Sequence, residues 1–468
     1  MSRIVVVSNR VPVPAGNAGH AGGLAVALLG LMQRRGGLWF GWSGAVTETA
    51  GGDHAPPAFA QRGAVGYATL DLTEAEHRGY YTGYSNGVLW PMLHALPHLM
   101  VFRRQDLETY RKVNHRFADN LVPLLRDDDR IWVHDYHLMS LPGALRAQGV
   151  DNPTGFFLHV PFPGPEAVAV APGIRGLVQD VLASDLIGFQ TATDRDNFAA
   201  TATELAGAMR TGDQTMEMGG REVHLGVFPA EIAASEFAAT AAAQVGLEPT
   251  RLLAQSLRGQ ALLLGIDRLD PTKGLPERLE AFRRVISRRP ARSATMLQIA
   301  APSREDVLAY RRLRAEVDSA AGSINSEFGE PDWLPLRLLA RPQSRDTIAG
   351  FMRLAKVGLV TPLRDGMNLV AKEYVAAQDP ADPGVLVLSR FAGAAAQLGS
   401  ALLVNPHDAE GMAEAIHRAL DMPLAERQER WWASWQAIAG ATPEGWGEDF
   451  LRALTPDGLE RLPVAGMA

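Results

Sequence analysis

The sequence contains no cysteine, which excludes disulfides, thiolate metal sites and a cysteine nucleophile. No apolar run approaches the roughly 20 residues that a membrane span needs. The run Ile4-Val5-Val6-Val7 behind Met1-Ser2-Arg3 is too short for a secretory leader. A soluble, cytoplasmic protein with no membrane partner is therefore expected. A basic excess is also missing: Lys+Arg 45 against Asp+Glu 52 leaves a net charge of −7. No nucleic-acid partner is expected from that balance, and a site for anionic substrates must be a local cationic cluster on an acidic body. There is no Walker A loop. Gly16, Gly19, Gly22 and Gly23 do not make the dinucleotide fingerprint, because Arg10-Val11-Pro12-Val13-Pro14 separates them from the first strand. Those glycines read either as a surface loop or as a place where phosphate approaches backbone.

What is present is the composition of an ordinary globular protein, 47% apolar and 21% charged. A chain of 468 residues exceeds one hydrophobic core, so two or three domains are expected. Short apolar runs recur between helical patterns: Ile4–Val7, Ile131–Val133, Phe156–Val160, Leu186–Phe189, Leu262–Ile266, Met296–Ile299, Val357–Val360, Val385–Leu388 and Leu402–Val404. Continuous apolarity of this kind indicates parallel strands buried on both faces. Polar residues cluster directly after the runs, at Ser8-Asn9-Arg10, His134-Asp135-Tyr136-His137, His159, Asp267-Arg268, Ser303-Arg304 and Arg364-Asp365. Open α/β sheets bind ligands beyond the carboxyl ends of their strands. Two groups of such strands imply an α/β chain of two doubly wound, Rossmann-like parallel-sheet domains facing across a cleft. The boundary is expected near residue 230, with 1–230 as one domain and 231–468 as the other, whose C-terminal helices are expected to pack back on the first. Trp431, Trp432 and Trp435, at helical spacing in the helical C-terminal stretch, read as packing residues.

The densest chemistry lies in Val360-Thr361-Pro362-Leu363-Arg364-Asp365-Gly366-Met367-Asn368-Leu369-Val370-Ala371-Lys372-Glu373. It reads as a strand end, a tight turn and a helix through Gln378, with Gly366 supplying a positive φ. Amides from Met367 to Val370 would face a phosphate. Asp365 suits a sugar hydroxyl, and Glu373, one helical turn after Leu369, suits the vicinal hydroxyls of a ribose. The stretch Asp267-Arg268-Leu269-Asp270-Pro271-Thr272-Lys273-Gly274 follows another strand, and Pro276 then opens a helix. Arg268 and Lys273 would neutralise a diphosphate as its bond to a sugar breaks. A pair of solvated surface charges is the plainer alternative.

His134-Asp135-x-His137 admits two readings, part of a metal phosphohydrolase site or a sugar-binding Asp135, and the remaining metal ligands have no obvious source. Asp127-Asp128-Asp129 reads as a solvated loop. His159 is held by Pro161 and Pro163 in a rigid turn and suits either a structural or a functional role. Tyr80 to Pro91 is dense in aromatics with polar tips, which suit sugar faces and phosphate oxygens and equally a core edge.

Together these segments resemble the trehalose-6-phosphate synthases, retaining glycosyltransferases of the GT-B fold. The resemblance runs through Val5 to Arg10, Ala21 to Leu24, Leu38 to Gly44, Ser85 to Pro91, Trp132 to Leu138, Phe157 to Pro163, Asp267 to Gly274 and Leu359 to Gln378. It implies that Gly22 and Gly23 approach the donor phosphates, with Arg268 and Lys273 on the diphosphate. It places Asp365 and the amides of Gly366, Met367 and Asn368 on the donor glucose, with His159 near its 6-hydroxyl. Leu369, Val370, Ala371, Lys372 and Glu373 would hold the nucleotide, with Gln343 where relatives can carry an aromatic beside the base. Arg10, Tyr81 and Arg304 would take the acceptor phosphate, with Trp90 beside them and Asp135 on acceptor hydroxyls.

The resemblance further implies transfer of glucose from UDP-glucose, or another nucleotide sugar, to the anomeric hydroxyl of glucose 6-phosphate. The α configuration is kept, and no metal or cofactor is used. Retention would follow from front-face attack, since no carboxylate pair at glycosidase spacing can be identified. Homo-oligomers, dimer or tetramer, are common in the family. One departure stands out: Glu231, in Phe228-Pro229-Ala230-Glu231-Ile232, replaces a glycine near the domain junction. Rival readings are a relative using glycerol 3-phosphate or a pseudo-sugar phosphate, a metal phosphohydrolase, and a non-catalytic sugar-phosphate sensor.

Overall fold

The structure, a computed structural model, describes residues 2–12, 23–48, 56–290, 292–304 and 307–459. The chain divides into two units. One comprises the residues up to Ala230 together with those from Pro443 onward, and the other is Glu231–Thr442. Each is built on a largely parallel sheet, and the fold class is GT-B. Among the described residues no helix is long and apolar enough to cross a membrane.

The first unit carries β1 (Ile4–Arg10), β2 (Gly37–Thr47), β3 (Ala58–Arg62), β4 (Val65–Thr73), β5 (Arg130–His134), β6 (Thr154–Phe157), β7 (Leu186–Phe189), β8 (Met209–Arg210), β9 (Thr215–Met218) and β10 (Arg221–Val227). They align as β3-β4-β2-β1-β5-β6-β7-β10-β9-β8. The ladder is parallel from β4 to β10 and antiparallel at both margins. Strand β1 shows why continuous apolarity was needed. Val5 and Val7 enter a core on one face of the sheet, and Ile4 and Val6 enter the core on the other. That second core is completed by the helix Pro443–Ala453, whose Trp446 and Phe450 lie among Trp132, Phe157 and Phe228.

The second unit carries β11 (Ala261–Arg268), β12 (Ala294–Ala301), β13 (Leu336–Leu339), β14 (Val357–Val360), β15 (Val385–Ser389) and β16 (Leu402–Val404), all parallel, in the order β13-β12-β11-β14-β15-β16. This is the Rossmann order, and its direction reverses between β11 and β14. The first sheet reverses in the same sense between β1 and β5. Each reversal leaves a crevice beyond the strand ends, so topology alone nominates the segments after β1, β5, β11 and β14.

One strand differs from expectation. The run Phe156–Val160 stops pairing as a strand at Phe157. His159 turns its N–H to the Asp135 carboxylate at 3.2 Å instead of continuing the ladder.

Candidate active site

In the second unit, β11 runs out into a short 3-10 turn, Pro271–Lys273, capped by Asp270, whose Oδ1 accepts from the Thr272 N–H at 3.0 Å. Gly274 follows with φ +63, and a Cβ there would stand 2.5 Å from the Thr361 carbonyl. Glycine is therefore required on two counts, the left-handed backbone and the close approach of the β14 turn. The Thr272 carbonyl accepts from the Leu363 N–H at 2.7 Å, so the two strand-end turns are joined. That junction brings together groups 92 residues apart, for the Lys273 ammonium forms an ion pair with Asp365. Asn368 Nδ2 donates to the same oxygen, Asp365 Oδ2, at 3.0 Å, which leaves Oδ1 without a partner among the described residues. Gly393 and Ala394 fix the turn from behind, donating to the carbonyls of Asp365 (3.1 Å) and Met367 (2.8 Å).

The positive φ expected at Gly366 falls instead on Asn368, at +71. Asparagine tolerates that conformation because its side chain can bond locally, here to Asp365. The helix Leu369–Ala377 starts directly after it, so its first N–H groups have no intrahelical acceptor. Arg268 is half-exposed and, among the described residues, pairs only with Asp270, at 4.0 Å, so its donors are unspent. Burial raises the Asp270 carboxyl, but Arg304, Arg268 and Lys273 outweigh it and bring it down to about 2. Arg304 donates to the Tyr310 hydroxyl at 2.7 Å, which donates to Asp270 at 2.9 Å.

Farther along the helix, Glu373 is largely buried, and Arg345 stands 3.7 Å away. Burial pushes its carboxyl up to about 7 in spite of that arginine. Gln343 lies two residues before Arg345, half-buried. The Lys372 ammonium turns away into the protein, where it donates to Glu231 at 2.6 Å. Gln397 donates to the other Glu231 oxygen at 2.9 Å. The carboxylate that replaces a glycine at the junction is thus spent on a buried ion pair.

In the first unit, Arg10 ends β1. Its guanidinium lies over Gly44, where a Cβ would come within 2.7 Å of Nε, and no side-chain partner is present among the described residues. Tyr81 belongs to a π-helical stretch, His77–Leu89, and its ring stacks between His77 (5.1 Å) and His137 (5.8 Å), with no hydrogen-bond partner for the phenol among the described residues. Rings continue from His137 to Tyr136 (4.0 Å) and from Tyr136 to Trp90 (5.6 Å), so Tyr81 and Trp90 belong to one aromatic chain. Asp135, directly after β5, has φ +74 and ψ 168, a conformation nearly confined to glycine. It is held by its N–H on the Phe157 carbonyl (2.8 Å) and by the His159 N–H on its side chain. Backbone strain of this kind collects at working sites.

His134 and His137 do not share a ligand. His134 bonds His159 at 3.0 Å, while His137 stacks on tyrosines. No three His, Asp or Glu side chains among the described residues converge as a metal site. Gly22 lies outside the described residues, and Gly23 opens the helix Gly23–Arg35.

The profile of glycosyltransferase family 20 matches residues 2–456. The chain belongs to glycosyltransferase family 20. Trehalose-6-phosphate synthase of Sinorhizobium fredii is 45% identical over 460 residues, covering 97% of this chain and 98% of that one. The crystal structure of a UDP-forming α,α-trehalose-phosphate synthase from Burkholderia xenovorans, in complex with glucose-6-phosphate, superposes with a TM-score of 0.91 at 44% identity, covering 97% of this chain and 99% of that one. An E. coli protein bound with UDP-2-fluoro glucose superposes with a TM-score of 0.90 at 42% identity, covering 97% and 99%.

One important residue of this family-20 chain escaped the reading of its sequence. Arg278 is fully buried. It pairs with Asp267 and donates to Thr361 Oγ1 (2.9 Å), Gln298 (3.0 Å) and the Lys273 carbonyl (3.2 Å), so it ties the ends of β11, β12 and β14 to the lysine turn. A signal was available. Leu275, Leu279, Phe282 and Val285 form the buried stripe of the helix Leu275–Arg288, and Arg278 sits within that stripe.

Proposed function

We propose that this family-20 glycosyltransferase moves glucose from UDP-glucose to the anomeric hydroxyl of glucose 6-phosphate, giving α,α-trehalose 6-phosphate and UDP. The observation that carries this reading is the Lys273–Asp365 pair at the β11/β14 reversal. An ammonium has three donors, and Asp365 occupies one. Two remain for a diphosphate beside the unspent guanidinium of Arg268. The bare Asp365 Oδ1 is a ready acceptor for a glucose hydroxyl. In the first unit, the unpartnered Arg10 guanidinium and Tyr81 phenol suit a phosphate monoester, with Asp135 for acceptor hydroxyls. Chemically, the bond from C1 to the UDP oxygen breaks as the acceptor oxygen attacks the same face. The departing phosphate takes the acceptor's proton, while Arg268 and Lys273 stabilise the charge that builds on it.

The nearest rival uses another phosphorylated acceptor. Incubating the purified chain with UDP-, GDP- or ADP-glucose against glucose 6-phosphate and glycerol 3-phosphate, with products read by mass, separates the two. A disaccharide phosphate is expected from UDP-glucose with glucose 6-phosphate. Product from glycerol 3-phosphate alone would overturn the reading. The same matrix settles the donor base, and light scattering of the purified chain settles whether it is a dimer or tetramer.

A further inference from the structure

We infer that His134, a buried histidine with no expected contact to substrate, is a positioning residue that fixes the tautomer of His159. This inference rests on the proposed function only for the identity of the ligand that His159 meets.

The two imidazoles share one hydrogen bond, between His134 Nδ1 and His159 Nε2, 3.0 Å apart. Their rings lie 5.3 Å apart and 20° from parallel. Aromatic walls enclose the pair, with Trp132 4.5 Å from His134 and Phe157 4.6 Å from His159. Burial drives both imidazoles neutral, His159 to about 3 and His134 also well down. A neutral pair joined by one N–H···N bond has two arrangements. If His159 donates from Nε2, the second proton of the pair sits on His134 Nε2. That atom is buried and has no partner among the described residues, so this arrangement seals an N–H away from every acceptor among them. If His134 donates from Nδ1, the buried Nε2 is a bare lone pair instead. Orphaned buried donors are rarer in proteins than under-satisfied acceptors. The second arrangement therefore wins, and His159 must carry its own proton on Nδ1.

That nitrogen is the outward one. It has no partner among the described residues and is not among the sealed-off polar atoms. His159 thus presents an N–H donor beside the strained Asp135, whose carboxylate already accepts from the His159 backbone. A hydroxyl on the donor sugar meeting His159 would accept this bond and keep its own proton for another partner. An analogue with fluorine in place of that hydroxyl, an acceptor with no proton, should be used better than one with hydrogen there.

The deciding measurement is the imidazole nitrogen spectrum of the full-length chain labelled with ¹⁵N-histidine, with His159 assigned by its loss in His159→Asn. His159 is expected as the Nδ1–H tautomer, unchanged from pH 6 to pH 9, in the absence of any substrate. An Nε2–H tautomer overturns the proposal, whether or not the chain turns over UDP-glucose. His134→Phe should then release His159 into a tautomer mixture and lower kcat/KM for UDP-glucose about tenfold, the loss of one oriented hydrogen bond. With 6-deoxyglucose on UDP as donor, the same substitution should change nothing. An equal loss on both donors would mark His134 as merely structural. His134→Asn, which retains a donor near Nδ1, should recover most of the discrimination.

Discussion

At the scale of single residues, the charges around the lysine turn divide into those already spent and those held in reserve. Arg278 and Asp267 are spent on one another, and burial pushes the Asp267 carboxyl up against the pull of Arg278. Arg268 is in reserve. Arg268→Ala should therefore leave the denaturation midpoint near that of wild type and lower kcat by about 10²–10³, the loss typical of a preorganised group aimed at developing charge. Glu373 behaves differently. Its carboxyl titrates near 7 in the folded chain and near 4.3 in the unfolded one. Between those values the folded state binds the extra proton, so stability falls as pH rises and the penalty is complete above pH 7. Glu373→Gln, which mimics the protonated form, should match wild type in urea below about pH 4. At pH 8 it should exceed wild type by roughly 3–4 kcal/mol. Its KM for UDP-glucose should rise, because the amide removes the charge that ribose hydroxyls would donate to. Such a trade is expected where a binding site opposes stability.

At the scale of elements, every buried apolar run named from the sequence contributed to a strand, although Phe156–Val160 leaves its strand after Phe157. The unnamed strands include two largely buried ones, β2 and β4, whose apolar runs are broken by glycines and polar residues, and two with little burial. Strand β3 is mostly exposed, and β8 is a two-residue edge, so neither shows apolar periodicity. The stretch His77–Leu89 has too many glycines and tyrosines to read as a helix, and its π-helical winding shows only once packed. Strand ends were legible because polar residues follow apolar runs, and so Lys273 and Asp365 could be named. Their pairing was not legible, nor was Glu231 on Lys372, since partners some 90 and 140 residues apart leave no local trace. Gly274 is the hinge of that pairing. Gly274→Ala should cost roughly 2 kcal/mol or more, from left-handed strain and the clash with Thr361. It should raise the KM for UDP-glucose more than it lowers kcat, as compared by denaturant titration alongside steady-state kinetics.

At the scale of the whole molecule, the first unit is not one continuous stretch of chain. Trp446 donates to the Phe228 carbonyl at 3.0 Å, and Phe450 stacks on Trp132 at 4.5 Å, so the helix Pro443–Ala453 belongs to the first unit. Phe450→Ala should destabilise the protein by about 3–5 kcal/mol. The loss should be read first in the fluorescence of the neighbouring Trp132.

The return of Pro443–Ala453 to the first unit also has a bearing on biosynthesis. A ribosome releases β1 long before Phe450, whereas the residues from Glu231 to Thr442 emerge in one piece between them. The middle of the polypeptide can therefore mature while it is being made. The sheet of the first unit must wait with Trp132 and Phe157 uncovered until Phe450 has been made. Its core is closed only after the second unit has been synthesised, and in that interval it is the part that a chaperone would have to shield.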